Sequence, residues 1–396
     1  MSRKICVIGN FSGRNAGDAA ILGGLLSDLS EHLKDCKYLI PTINPGFVRK
    51  SYARYPVEAI GLLPWNLSLK IFGLPIVRSV LSADAVLVTD AILFDYKLFN
   101  PVYNYLSTLS LVLPLAKRKG IPVILYNVSL GPIYTKLGRW CLHRILQSTS
   151  LIMLRDRESS ELLEKLSLVP ERSRLFSTAD CALNTVPSDE DFLSEIHTKE
   201  GIFGGTRPWM SVNINSYIDV YVRAYRGKGV GTESFLSIMA NVIDRIIDAF
   251  NVNIVVVVTQ PMDIPITQRM LAKVQKREHV KMISNKDYSY QDIAAIFSKM
   301  EMHLGMRTHS LILASSVLTP IVGIIATPKN RGYMRSIEQD ARMVEFQNFS
   351  VDSLFTVLKS TWEQREKIRG ELAPIIEREK GKARQAAQYL KDFLKW

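Results

Sequence analysis

Short apolar runs alternate along this chain with longer stretches whose apolar positions recur at helical spacing. In the first half the runs fall at residues 4–8, 39–40, 85–89, 122–126 and 150–154. Rich in Val, Ile and Leu and too short for helices, they are expected to be strands, the one at 39–40 being the weakest. Helices are expected between them. One covers 18–33, after a loop of Gly, Asn and Ser. A second covers 106–116, an apolar stretch closed by Lys117, Arg118 and Lys119 and read as a buried helix. A third covers 158–166. Strands separated by helices predict a largely parallel sheet.

Residues 187–208 break the pattern: they are polar and carry Gly201, Gly204 and Gly205, so a domain boundary is expected there. Beyond them the alternation resumes. Strands are expected at 209–214, 253–259, 303–305 and 320–325, and helices over 235–250 and near 310–316. Four consecutive valines in 253–259 predict a central strand buried on both faces. From Trp362 onward the chain is charged and Ala-rich, which predicts a long surface helix. The expected organisation is two Rossmann-like α/β domains facing each other across a cleft, a GT-B-like architecture. They span 1–190 and 206–345, followed by a helical tail over 346–396. In open parallel sheets ligands lie beyond the carboxyl ends of strands, so chemistry is sought in the loops that follow them.

Composition narrows the class. At 396 residues, with 47% hydrophobic and 22% charged, the chain is long enough for two globular cores. Four cysteines occur with no C-x-x-C pair, which speaks against a zinc site or a disulfide framework and fits a reducing compartment. No metal is expected. Cys6, inside the run Ile5-Cys6-Val7-Ile8, reads as a small buried hydrophobe. The first residues lack the apolar core of a signal peptide, and no run reaches the ~20 apolar residues of a membrane span, so a cytoplasmic location is expected. A formal charge of +12 and a pI near 9.4 suit nucleic acid, an anionic lipid surface or phosphorylated small molecules. No nucleic-acid motif is present, so no nucleic-acid partner is expected. The basic residues read as dispersed. Residues 62–72 and 99–113 are apolar with interspersed aromatics. They are read as core, or as segments that lie in a membrane interface.

Three loops carry unusual residues. The first, Gly9 to Asp18, follows a strand and opens a helix. Its glycines allow close backbone approach, and the helix start favours an anion. It equally fits a tight turn capped by Asp18. The second, Leu154-Arg155-Asp156-Arg157-Glu158, sets an arginine at a strand end, where a guanidinium grips a carboxylate or phosphate with two prongs. The alternative is surface pairing of Arg155 and Arg157 with Asp156 and Glu158. The third is Gly305-Met306-Arg307-Thr308-His309, followed by a small-residue helix, Pro320-Ile321-Val322-Gly323-Ile324 and Thr327-Pro328-Lys329. A permanent cation two residues from an ionisable imidazole, at the start of a helix, can bind an anion and move a proton.

In these three segments, from Gly9 to about Tyr333, the chain resembles the polysaccharide pyruvyl transferases, most specifically in Gly-Met-Arg-x-His followed by Pro-x-Val-Gly-Ile and Pro-Lys. The resemblance implies a transferase of GT-B fold that moves the enolpyruvyl unit of phosphoenolpyruvate to a hexose, leaving a pyruvate ketal and phosphate. The N-terminal domain would then take the acceptor and the C-terminal domain the donor. It implies that Arg307 and His309 hold the donor and handle its proton, with Lys329 adding charge. Arg155 would hold the donor's carboxylate or phosphate, and Asn15, Gly17 and Asp18 would line the cleft. It implies no cofactor beyond phosphoenolpyruvate as substrate. The acceptor it implies is a saccharide, often linked to polyprenyl diphosphate, reached by peripheral contact at the inner face of the membrane. The chain departs from the family pattern at Thr308, where Leu is usual. It also departs at Thr89-Asp90-Ala91 and Asn127-Val128-Ser129-Leu130-Gly131-Pro132, where the family is richer in glycine. Two other readings stay open: a nucleotide-sugar-dependent glycosyltransferase of the same fold, favoured by Asp90, and a non-catalytic member of a polysaccharide assembly complex.

Overall fold

The computed structural model describes residues 2–62, 74–95, 105–224 and 230–396. The apolar segment expected over 62–72 lies outside these residues beyond Leu62, and so does the part of 99–113 that precedes Tyr105. Two parallel sheets organise the chain. The first contains β1 (Arg3–Ile8), β2 (Cys36–Thr42), β3 (Val57–Gly61), β4 (Ala85–Val88), β5 (Val123–Val128), β6 (Leu151–Leu154) and β7 (Leu175–Ser177), in the order β3-β2-β1-β4-β5-β6-β7. The second contains β8 (Trp209–Asn213), β9 (Asn253–Val258), β10 (Val280–Ser284), β11 (Met302–Gly305), β12 (Ile321–Ile325) and β13 (Met343–Glu345), in the order β10-β9-β8-β11-β12-β13. Each order steps outward from a first strand, returns, and continues on its other side. That is the doubly wound Rossmann pattern, with switch points between β1 and β4 and between β8 and β11.

The central strands form because their runs are apolar on both faces. Ile5, Val7, Val86, Leu87, Ile124 and Ile152 are fully buried in the first sheet, as are Val255, Val256, Val257 and Leu304 in the second. The four strands at the sheet edges, β3, β7, β10 and β13, were not anticipated. β3 reads Val-Glu-Ala-Ile-Gly with no buried residue, and β13 is three residues with one buried.

Helix α1 (Ala16–His32) starts two residues earlier than expected. Its cap is Asn15, not Asp18: Asn15 Oδ1 accepts from Gly17 N at 2.9 Å, while Asn15 Nδ2 donates to Asp18 Oδ1 at 2.9 Å. Helices α2 (Tyr105–Arg118) and α3 (Lys136–Ser148) follow β4 and β5. The reading of α2 as a buried helix holds for one face; Leu111 is 62% exposed. Helix α4 (Arg157–Lys165) is capped by Asp156, whose Oδ1 accepts from Ser159 N at 2.8 Å. In the second sheet α5 (Thr232–Phe250) precedes β9, α6 (Thr308–Ser316) follows β11 and α7 (Pro328–Ser336) follows β12. The tail forms α8 (Val351–Glu363) and α9 (Arg365–Leu394). It is more than a surface helix, because Ile368, Leu372, Ile376, Ala383, Ala387 and Leu390 are fully buried.

Contacts divide the chain into two compact units that are not contiguous in sequence. One comprises Met1–Gly13, Ile21–Asn184 and Glu379–Trp396; the other comprises Arg14–Ala20 and Thr185–Arg378. The first turn of α1 therefore belongs with the second sheet, and the last part of α9 with the first. Among the described residues no helix is long and apolar enough to cross a membrane.

Candidate active site at the switch point of the second sheet

Asn213 ends β8 and organises the loop after β11. Its Nδ2 donates to Val257 O at 2.8 Å, while Oδ1 accepts from Arg307 N at 3.1 Å and from Ser310 Oγ at 3.2 Å. The backbone N–H of Met306 donates to Asn213 O at 3.1 Å. One buried amide thus fixes the chain from Met306 to Ser310 beside the switch point. Gly305 must be glycine for the loop to close: a Cβ there would lie 2.7 Å from both His303 Nε2 and Leu311 Cδ2.

Beneath the loop lies a buried polar chain. Ser211 Oγ contacts His303 Nδ1 at 2.9 Å, and His303 Nε2 contacts Ser310 Oγ at 3.1 Å. Burial drives the His303 pKa down to about 3, partly countered by a hydrogen bond to the Ser211 backbone. His303 is therefore neutral and structural, and packs at a tilt against Phe297 with 4.6 Å between ring centroids.

Arg307 is the N-cap residue of α6 and does not point freely into solvent. Its Nη2 donates to Asp263 Oδ1 at 2.8 Å and its Nε donates to Asp263 Oδ2. Asp263, fully buried after β9, also accepts from Ser216 N at 2.9 Å. Burial opposes the charge on Arg307, but the bond to Asp263 outweighs it and holds the guanidinium pKa above its ordinary value. Tyr217 lies under the guanidinium at 5.6 Å. Nε and Nη2 are thus committed to the carboxylate, whereas Nη1 makes no hydrogen bond among the described residues and the side chain keeps 13% exposure. A fork fixed on one edge presents the other edge in a set direction.

His309 stands in the first turn of α6 and packs on α1. A Cβ added to Gly17 would fall onto the His309 ring, touching Cβ, Cγ and Nδ1. Ala16 N donates to Thr259 O at 2.9 Å, which ties the start of α1 to the end of β9. On the other side Asn330 Nδ2, in α7, donates to Met306 O at 2.8 Å. Three helix N-termini, those of α1, α6 and α7, therefore gather around the loop after β11. Each contributes positive potential toward an anion.

Of the residues singled out from sequence, Asn15, Gly17, Asp18, Arg307, His309 and Lys329 all fall in this unit. Gly17 and His309 are in direct contact, and Lys329 lies in the first turn of α7. Arg155 belongs to the other unit. Its side chain is 8% exposed, with Nη1 2.8 Å from Asp180 Oδ2. Burial opposes its charge, and Asp180, Asp90 and Asp156 hold the pKa above the ordinary value. The surface pairing that was the alternative for this segment is absent: Arg157 pairs with Glu161 at 2.7 Å, and Asp156 caps α4. Asp263, Asn213 and Ser310 were not anticipated. Asn213 carries one signal, a polar residue closing a buried apolar strand, whereas Asp263 lies in the turn beyond β9.

Where the family pattern has glycine, this chain keeps the backbone that glycine favours. Asp90, after β4, has φ 71° and Asn127, in β5, has φ 47°. Asp and Asn are the side chains that tolerate this left-handed region best.

A family model described as polysaccharide pyruvyl transferase matches residues 15–326. The chain belongs to that family. Its members are transferases of polysaccharide modification, which sets this protein among enzymes acting on saccharides. No curated protein matches by sequence. The fold recurs in solved structures at low identity. UDP-GlcNAc 2-epimerase from Neisseria meningitidis, bound to UDP-GlcNAc, is 12% identical with a TM-score of 0.66, over 99% of each chain. HepE from Anabaena, in complex with UDP-glucose, is 12% identical with a TM-score of 0.64, over 99% of each chain. The ADP-heptose LPS heptosyltransferase II of E. coli is 11% identical with a TM-score of 0.53, over 92% of this chain and 99% of its own. These likenesses establish a GT-B-type fold.

Proposed function

We propose that this enzyme transfers the enolpyruvyl unit of phosphoenolpyruvate to a hexose of a surface polysaccharide, or of its polyprenyl-diphosphate-linked precursor. The observation that carries the reading is the packing of His309 on Gly17 beside a pre-oriented Arg307, where three helix N-termini meet. Phosphoenolpyruvate is a small, highly charged anion, and such a place suits one.

In this mechanism Arg307 receives the donor on its Nη1 edge while Asp263 keeps the fork from rotating. Lys329 adds charge from α7, and Asn15, Gly17 and Asp18 form the wall at the start of α1. His309 gives a proton to the methylene carbon of phosphoenolpyruvate, leaving an oxocarbenium-like carbon. A sugar hydroxyl attacks that carbon and releases its proton. The bond from carbon to the phosphate oxygen then breaks, and a second hydroxyl attacks and loses its proton, closing the ketal with release of phosphate. A general acid of this kind is worth roughly 10²–10⁴ in rate. The enzyme works in the cytoplasm and meets a lipid-linked acceptor at the membrane surface.

Thermal-shift titration of the purified protein with phosphoenolpyruvate, beside a panel of nucleotide sugars, tests the donor. At 100 times the dissociation constant a ligand stabilises by about 2.7 kcal/mol. A shift with phosphoenolpyruvate that disappears in Arg307→Ala is expected, and His309→Ala should bind the donor but lose most turnover. A shift with a nucleotide sugar instead would replace this reading by glycosyl transfer, as the ligands of the epimerase and HepE structures suggest.

A further inference from the structure

The first unit carries an exposed face whose composition suits neither core nor ordinary surface. Leu111 (62%), Tyr134 (79%) and Trp140 (46%) are exposed, with Leu115 and Leu137 beside them in sequence on α2 and α3. Large apolar side chains gathered in this way mark an interaction surface. Helices α2 and α3 join neighbouring parallel strands by successive crossovers of the usual right hand, which places both on one side of the sheet. They are pinned side by side. Pro114 inside α2 has no N–H, so the helix offers the Ser110 carbonyl no partner. Arg144 of α3 fills the gap, with Nε donating to Ser110 O at 3.1 Å. The same guanidinium lies over the Trp140 ring at 4.9 Å. Lys117 Nζ donates to Gln147 O at 2.7 Å.

Charge identifies what covers this face. Between Asp95 and Asp156 the sequence contains no aspartate or glutamate, while Lys117, Arg118, Lys119, Lys136, Arg139 and Arg144 all fall there. Five of these, Lys117, Arg118, Lys136, Arg139 and Arg144, lie on α2 and α3 with no acidic residue among them, so the two helices alone carry +5 of the +12 formal charge. A second copy of the chain would set two such basic faces against each other. Nucleic acid would leave the leucines and Trp140 uncovered. An anionic bilayer satisfies both halves: Trp, Tyr and Leu enter the headgroup region while Lys and Arg meet lipid phosphates.

We propose that the α2–α3 face is the docking surface of this enzyme for an anionic lipid membrane. It deepens the membrane contact of the proposed function and rests on that part of it alone, since the surface acts without donor or acceptor.

The test is flotation of the full chain with vesicles of equal parts phosphatidylglycerol and phosphatidylcholine, against phosphatidylcholine alone, with neither substrate present. The chain should float with the anionic vesicles at low salt, stay behind with the neutral ones, and be released as salt rises. Lys136→Gln with Arg139→Gln should weaken partitioning about thirtyfold. Leu111→Asp with Trp140→Asp should weaken it at least about tenfold. All four side chains are exposed, and unchanged thermal melts identify variants that fold. Equal binding to both vesicles, no binding to either, or binding indifferent to both double variants overturns the proposal. So does a dimer, by light scattering, that Trp140→Asp splits. A chain that consumes phosphoenolpyruvate but ignores vesicles would lose this surface and keep its chemistry.

Discussion

A methyl group on Gly17 is the smallest change that reaches the centre of the candidate site. It would occupy the space of the His309 ring, so the imidazole must swing away. The helix itself prefers alanine by about 1 kcal/mol, which offsets part of an overpacking cost of about 1–3 kcal/mol. Gly17→Ala should therefore melt within about 2 kcal/mol of the parent while turnover falls at least about a hundredfold. Turnover near the parental rate would mean that His309 does not act from this position. At this scale the sequence displays neighbours within one segment, as in the candidate pair of Arg307-Thr308-His309. It was opaque where partners are far apart. Asp263, which orients Arg307, comes 44 residues earlier. Asp180, which neutralises Arg155, lies beyond α4 and β7. No local pattern links either pair.

Among the elements, the strands read from sequence are the interior ones, and the four that escaped are the four sheet edges. An interior strand is flanked by strands and covered by helices, so selection for burial writes a continuous apolar run. An edge strand pairs on one side only and needs no such run. The helix carrying the site shows a different kind of compromise. After α6 the N–H of Thr319 donates to Ala314 O at 3.1 Å and that of Leu318 to Ser315 O at 2.9 Å, the paired bonds of a Schellman stop. The turning residue is Leu318, at φ 65°, where glycine is favoured. Leu318→Gly should raise stability by about 1 kcal/mol, seen as a higher melting temperature, because relief of the left-handed backbone exceeds the loss of a half-buried side chain. A lower melting temperature would show that leucine packing outweighs the backbone.

For the molecule as a whole, the alternation of strand and helix gave the doubly wound pattern in both halves, but contiguous ranges could not convey that the units exchange chain. The first unit needs residues 379–396 as well as 1–13 and 21–184. Ala383, Ala386, Ala387 and Leu390 are fully buried there, Tyr389 packs on Phe176 at 4.4 Å, and Arg3 lies over the Trp396 ring at 4.7 Å. A fragment of residues 1–184 should consequently fail to melt cooperatively by circular dichroism. A cooperative melt matching that of the full chain would show these contacts to be dispensable.

The same exchange bears on synthesis at the ribosome. Domains made first usually fold first. Here the sheet that starts the chain must wait for residues 379–396, made after the whole of the second sheet. For most of translation the surface that those residues cover stays exposed.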